Sequence, residues 1–473
     1  MKKAEVVFIP FPAVGHLVSA FEFAKLLINR DSRLRITILV IKFPHTAESD
    51  VYTKSIPISD SLNVINLPEV SLPQISDPGS AMNAFLEAHK PNVKQAVSNL
   101  SVTAFVVDMF CTNMIDIAKE FSVPAFVFFT SSVAFLGLNL HIHTLFERDN
   151  FDSTQLEQLT ELSLPSFANP VPTKSLPSAV LRKEQESFFM RYAKGLKNAD
   201  GVIVNSFEEL ESHAVHSFLS DPILAGLPIY PVGPILNPKP KTKDPVDYDH
   251  IVKWLDDQPP LSVVFLCFGS RGSFDEDQVK EIALAVENSG ARFVWSLRKP
   301  PPKGAMIAPS DYPLSDLGSV LPEGFLDRTV EMGMVIGWAP QAQILAHPAT
   351  GGFVSHCGWN STLESIYFGV PLATWPIFAE QQTNAFELVC ELKMAVEISL
   401  DYRVELNGGP NYLVSADKIE IGIRSVLDKD GDVRKKVKEM SEKSKKTLLE
   451  GGSSYTYLGR LIDYIMNPVS NSN

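Results

Sequence analysis

Short runs of β-branched and aromatic residues recur along the 473-residue chain, each followed by a stretch with helical spacing. The first half carries EVVFIPF, RITILVI, NVINL, AFVVD, AFVFFT and GVIVN. The second carries SVVFLCF, RFVWSL, MVIGW, GGFVSH, PLATW and MAVEI. Runs that stay apolar instead of alternating are what strands need when both sheet faces are covered, the condition of parallel strands joined through helices. The fold class that follows is α/β and doubly wound. A chain of this length exceeds one ordinary core, so two such domains are expected.

The boundary between them is written in composition. PVGPILNPKPKTKDPVD is rich in Pro and Lys and has no period, which marks a linker at 236–250 between domains 1–235 and 251–450. Each half opens alike, with a strand, a Gly-containing loop and a helix: EVVFIPFPAVGH and SVVFLCFGSRGS. In two such domains ligands bind at the carboxyl ends of the strands. Residues 300–320 read as a Pro-rich loop. The end, 451–473, reads as a helix, SSYTYLGRLIDYIM, packing back on the N-terminal domain, and then a disordered tail.

Composition narrows the partners. A formal net charge of −13 argues against nucleic acid and anionic membranes. A small anionic ligand stays open to it, through backbone N–H groups. No run reaches the roughly 18 apolar residues of a membrane span. The start, MKKAEVVFIPFPAVGHL, is basic then apolar like a signal peptide, but its run is short and broken by two prolines. Cys111, Cys267, Cys357 and Cys390 form no CxxC pair and are too few for a disulfide scaffold, so reduced thiols in a cytoplasmic protein, monomeric by default, are expected.

One turn crowds chemistry together. HCGWNS, His356 to Ser361, joins the run GGFV to the helical pattern STLESIYFG. Asn360 and Ser361 suit an N-cap, and Ser361 with Glu364 fits a capping box. Neither accounts for His356 or Trp359. A helix start presents N–H groups and a positive dipole end to a phosphate, and a neighbouring His adds a donor.

The surrounding segment, Trp338 to Gln381, reads WAPQAQILAHPATGGFVSHCGWNSTLESIYFGVPLATWPIFAEQ. It resembles the signature box of the plant family 1 UDP-sugar glycosyltransferases, which glycosylate small secondary metabolites, and the similarity extends over the chain's length and domain order. The resemblance implies two Rossmann-like domains facing across a cleft, the GT-B fold. It also implies UDP-glucose as co-substrate, with no cofactor and no metal. Trp338 would stack on uracil, with Ala339 beside it, and Gln341 would contact the ribose. His356, Asn360 and Ser361 would hold the diphosphate, Glu364 the ribose hydroxyls, and Glu380 and Gln381 the sugar hydroxyls. Trp359 would shape the sugar site. Gln381 and Trp359 favour glucose over galactose and glucuronic acid, which remain alternatives. Ser270, in the loop GSRGS, matches a second diphosphate contact. Ser273 with Glu276 reads as a capping box.

Transfer to a hydroxyl needs a base. His16 begins the first helix, where the dipole disfavours imidazolium; it is either that base or a helix-start His with its bonds satisfied. Asp108 ends the strand AFVVD and could hold the other ring nitrogen or cap a loop. The family resemblance assigns this pair as base and orienter, in a displacement that inverts the anomeric carbon. It also places Thr130 at the sugar 6-hydroxyl. Phe11, Phe85, Phe110, Leu138, Phe188, Phe189 and Phe378 are candidates to grip a flat phenolic acceptor such as a flavonoid, a stilbene or a simple phenol.

Three patterns are set aside. Asp275-Glu276-Asp277 mimics a metal-binding DxD but falls in a helix's first turn. Asp428 to Glu439 mimics a calcium loop but carries Val433 at the glycine position. His141 and His143 are two apart on a helix and diverge. A hydride-transfer enzyme is disfavoured because the first turn lacks G-x-G-x-x-G and the second strand runs into Lys42. A non-catalytic UDP-sugar sensor is disfavoured by the presence of both His16 and Asp108.

Overall fold

The computed structural model describes residues 3–43, 58–71, 75, 78–148, 151–237, 245–302, 307–404 and 412–467. It divides into two units. One comprises Met1–Pro170, Ser178–Asn237 and Lys446–Asn473; the other comprises Val171–Pro177 and Pro238–Lys445.

The first unit is built on a seven-stranded parallel sheet. In chain order its strands are β1 (Ala4–Ile9), β2 (Leu34–Val40), β3 (Leu62–Asn66), β4 (Val102–Asp108), β5 (Ala125–Phe129), β6 (Gly201–Val204) and β7 (Ile229–Pro231). They lie in the order β3-β2-β1-β4-β5-β6-β7. The order reverses between β1 and β4, and such a switch point opens a crevice at the strands' carboxyl ends. The helix Val14–Arg30 follows β1 and buries Leu17, Ala20, Phe21, Ala24 and Leu27 at helical spacing. It ends at Asp31, whose backbone turns extended. Its apolar face joins Val6, Phe8, Ala104 and Val106 in one core. The helix Ser453–Met466 adds Leu458, Leu461, Ile462 and Ile465 to that core. Each such side chain contributes roughly 1.5–3 kcal/mol of burial.

The second unit has a six-stranded parallel sheet. Its strands are β8 (Val263–Cys267), β9 (Arg292–Ser296), β10 (Gly333–Ile336), β11 (Thr350–Ser355), β12 (Leu372–Thr374) and β13 (Ala395–Glu397). The order is β10-β9-β8-β11-β12-β13, again reversing beside the first strand. Alternate residues of β8 supply different cores: Val264 and Leu266 one, Val263, Phe265 and Cys267 the other. Both sheet faces are therefore covered, the doubly wound arrangement that the apolar runs imply.

Several local expectations are corrected. The stretch 236–250 is not all linker: residues 238–244 lie outside the described residues, and Pro245–Asp256 is a helix. Val171–Pro177 belongs to the second unit, where Thr383 Oγ1 donates to Ser175 O (2.7 Å), Arg403 Nη2 to Leu176 O (2.6 Å), and Lys174 pairs with Asp401 (2.9 Å). Residues 446–450 belong with the first unit instead of the second. Within 300–320, Ser310–Asp311 pairs with Arg298–Lys299 and Leu314–Val320 is helical, while 303–306 lie outside the described residues. The tail expected to be disordered lies outside them from 468 onward. Asp275, not Ser273, caps the helix Glu276–Ser289, accepting from Gln278 N, so the carboxylates of the DxD look-alike sit at a helix start.

Candidate active site

In the first unit the residues gather at the β1/β4 switch point. His16 lies in the first turn after β1 and Asp108 closes β4. His16 Nδ1 is 2.8 Å from Asp108 Oδ2, and Asp108 Oδ1 accepts from Phe110 N at 2.9 Å. Both carboxylate oxygens are thus committed, which fixes the imidazole plane and leaves Nε2 as the nitrogen pointing away from the pair. The Asp108 side chain is 1% exposed and that of His16 21%, so an anchored imidazole meets an accessible surface. Thr130 follows β5, with Oγ1 3.4 Å from His16 Nδ1.

Aromatic rings surround this pair. Phe11 and Phe110 lie 5.6 and 5.4 Å from the His16 ring and 5.3 Å from each other. Phe43 packs on Phe11, and Phe85 stacks behind Phe43. On the other side Tyr192 meets Phe110, and Phe188 stacks on Tyr192. Four of the seven acceptor candidates are therefore brought into one aromatic series with His16, although Phe85 is fully buried and only backs Phe43. The others are not. Leu138 and Phe189 are core residues, Phe189 packing on Phe146, and Phe378 packs in the second unit. Phe43 and Tyr192 escaped the sequence reading. Tyr192 stands one helical turn after Phe188, a spacing that could have exposed it.

In the second unit the candidates stand along the carboxyl edge of the sheet. Trp338 follows β10, Ser270 follows β8, His356 to Ser361 follow β11, and Glu380 and Gln381 follow β12. Across the sheet this places an exposed indole first, a helix start in the middle and a Glu-Gln pair last. With strands about 4.8 Å apart, the four steps from β10 to β12 span roughly 19 Å.

The middle of that row is the turn after β11. The helix Trp359–Phe368 is capped by Gly358 with no side-chain cap bond. The expected capping role of Asn360, Ser361 and Glu364 is therefore wrong. Ser361 Oγ and Glu364 Oε2 instead accept from Gln341 Nε2 at 2.8 and 2.7 Å. A helix start is in general a place for an outside anion, because its first N–H groups have no intrahelical acceptor. Cys357 takes a left-handed φ of 63°, an unusual backbone for a non-glycine, and Asn384 Nδ2 holds its carbonyl at 3.0 Å. Asn384 is another residue that sequence reasoning missed. Trp359 and Ala339 are both buried. Gln381 Oε1 accepts from Ile377 N and Phe378 N, so its amide nitrogen is the group it can offer a ligand.

His356 is wedged between two glycines. A Cβ on Gly269 or on Gly358 would lie 2.5 Å from His356 Nε2. Burial lowers its pKa to about 4, opposed by a hydrogen bond with the Cys267 backbone, so the ring is neutral at pH 7. Its Nδ1 is buried without a protein partner. A neutral ring carries one N–H, so Nδ1 can donate to a ligand oxygen only in the tautomer that gives up the Cys267 bond. Burial raises Glu364 to about 7, opposed by the Gln341 hydrogen bond. The neutral acid is therefore favoured in the folded state, and its stabilisation, full below about pH 4.5, is lost as pH rises through about 7. His356 has the opposite slope, with stabilisation present above its ordinary 6.5 and lost as pH falls through about 4. Replacing Glu364 by Gln should isolate the first effect. The variant's stability relative to wild type should rise between pH 4.5 and pH 8 by up to roughly 3 kcal/mol in thermal melts. A pH-independent difference would contradict it.

Among the described residues no group of three or more His, Cys, Asp or Glu could hold a metal ion, and no helix is long and apolar enough to cross a membrane.

The two doubly wound sheets, each with candidate polar and aromatic groups at its carboxyl edge, define a two-domain protein of the α/β class. Comparison with known proteins makes this specific. Residues 241–401 match the family described as UDP-glucoronosyl and UDP-glucosyl transferase. The chain is 53% identical to UDP-glucose flavonoid 3-O-glucosyltransferase 6 of Fragaria ananassa, over 98% of this chain and 99% of that protein. A transferase from Siraitia grosvenorii solved in complex with UDP superposes with a TM-score of 0.87 at 46% identity, covering 98% of this chain and all of that one. Medicago truncatula UGT71G1, complexed with UDP-glucose, gives 0.86 at 42% identity over 98% of each chain. The chain belongs to the UDP-glucoronosyl and UDP-glucosyl transferase family, and its two-sheet architecture is that of the GT-B glycosyltransferases.

Proposed function

We propose that the protein transfers glucose from UDP-glucose to a hydroxyl of a small phenolic acceptor, giving a β-O-glucoside with inversion. The observation that carries the reading is the 2.8 Å His16–Asp108 pair at the first sheet's switch point, ringed by Phe11, Phe110 and Tyr192. A protein that only senses a nucleotide sugar has no use for an oriented base set among aromatic rings. A flat acceptor would lie against those rings with its hydroxyl at Nε2. His16 removes the proton as the acceptor oxygen forms its bond to the anomeric carbon and the bond from that carbon to UDP breaks. Asp108 stabilises the imidazolium so formed.

In the second unit, Trp338 stacks on the uracil. Gln341 and Glu364 take the ribose. His356, Asn360, Ser361 and Ser270 take the diphosphate, and Glu380 and Gln381 the glucose. The developing charge on UDP is stabilised by the start of helix Trp359–Phe368 and by the neutral His356, with no metal in the scheme. Support comes from the order of these groups along the sheet edge and from relatives named for UDP-glucose and flavonoids. Four unpaired cysteines suit a cytoplasmic setting.

The test is an acceptor screen with UDP-glucose, reading glucoside mass and UDP release. Release of UDP matched by a gain of one hexose on a flavonoid or simple phenol is expected. UDP-glucose binding without turnover on any phenolic would favour the sensor. Turnover only with another UDP-sugar would reassign the donor.

A further inference from the structure

Trp338 serves as the base platform in the reading above, yet its side chain is 45% exposed just beyond the end of β10. An exposed indole must lose torsional freedom before it can stack, and that loss weakens binding. We propose that Arg298 is a positioning residue for nucleotide binding: its guanidinium backs one face of the Trp338 indole and holds the other face ready for the base. The inference rests on the donor-site reading.

The register of the sheet brings the two residues together. β9 and β10 are parallel neighbours with Ser296 opposite Ile336, and Leu297 N donates to Ile336 O at 2.9 Å. Arg298 and Trp338 each come two residues after that matched pair. Side chains two apart along an extended segment point the same way, so both leave the sheet on one side. The Arg298 guanidinium carbon lies over the indole, 5.3 Å from the ring centroid.

Arg298 cannot wander, since it is only 9% exposed. Nη2 donates to Pro309 O at 2.6 Å, and Nε lies 2.9 Å from Asp311 Oδ1 and 3.4 Å from Ser310 O. The same hairpin holds the indole's backbone. Asp311 packs so closely on Gly337 that a Cβ there would lie 2.5 Å from its Cγ, and Ser296 Oγ donates to Gly337 O at 2.7 Å. The residue before the tryptophan is thus clamped from two sides, and the ring itself is covered by the arginine. Asp311 neutralises the buried charge, so Arg298 contributes a flat face more than a field. A guanidinium is planar and weakly hydrated, which suits it to stacking on an aromatic ring; a lysine ammonium does not offer that face.

The experiment is a double-substitution cycle on the full chain, with UDP affinity measured by calorimetry for wild type, Arg298→Ala, Trp338→Leu and the pair. Arg298→Ala should weaken UDP binding about five- to tenfold, and should add nothing once Trp338 is replaced. Turnover at saturating UDP-glucose should be unchanged, so the effect falls on KM and not on kcat. Unchanged affinity in Arg298→Ala, or an equal loss in both backgrounds, overturns the inference. Should the alanine variant not fold, Arg298→Lys runs the same cycle, with about a two- to threefold loss expected only where Trp338 is present. Wild-type affinity in Trp338→Leu overturns both the inference and the donor-site reading beneath it, whereas the other two results overturn the inference alone.

Discussion

His16→Ala is expected to lower turnover by about 10²–10⁴-fold, with UDP affinity unchanged. The separation is built into the fold. His16 and Asp108 belong to the first unit, and the row from Trp338 to Gln381 belongs to the second, so removing the imidazole disturbs no group assigned to the nucleotide. The loss should depend on the acceptor. A phenol that is already acidic needs less help in giving up its proton, so the deficit should shrink as acceptor pKa falls. Asp108→Asn sharpens the point. Asp108 Oδ1 accepts from Phe110 N, so an Asn oxygen would stay there and its amide nitrogen would face His16 Nδ1. The imidazole would then accept at Nδ1 and carry its proton on Nε2, the nitrogen that must receive one. Initial rates against a series of substituted phenols check both variants. Near-normal rates in His16→Ala with weakly acidic acceptors would falsify the base assignment.

The two sheets could be read in the sequence because most strands are apolar runs of three to seven residues, and burial on both faces demands such runs. The candidate residues could be read because they stand immediately after those strands. What escaped depends on contacts between distant segments. Ser361 and Glu364 have the spacing of a capping box, but Gln341, twenty residues earlier, binds both, and the turn through Cys357 starts the helix at Gly358. A local pattern cannot disclose that its side chains are engaged elsewhere. The two-residue pairing of Arg298–Lys299 with Ser310–Asp311 is too short to leave a periodic trace. The attachment of Val171–Pro177 to the second unit uses the backbone carbonyls of Ser175 and Leu176, which every residue type possesses. Phe43 and Tyr192 read as ordinary aromatic residues until the fold sets them beside Phe11 and Phe110.

A single methyl group tests the diphosphate site more sharply than removal of any polar atom. Gly358 has φ −62° and ψ 139°, a backbone that alanine adopts without strain, so Gly358→Ala should fold. Its new Cβ would lie 2.5 Å from His356 Nε2. An imidazole at the end of a side chain ordinarily turns aside. Here there is little room to do so, because Gly269 approaches the same ring nitrogen as closely and the residue is 9% exposed. His356 must leave its place or push the loop after β8 away, and either shift moves a diphosphate donor by a fraction of an ångström to an ångström. A hydrogen bond to a charged group lost in this way costs about 1.5–3 kcal/mol, roughly ten- to a hundredfold in affinity. The loss should appear as weakened UDP binding, with little change in melting temperature. His356→Ala supplies the control: the methyl then has room, so Gly358→Ala should cost little more in that background. UDP titrations of the four proteins decide it. Undiminished affinity in Gly358→Ala, or the same further loss with His356 absent, would mean that the imidazole between the two glycines does not carry the diphosphate.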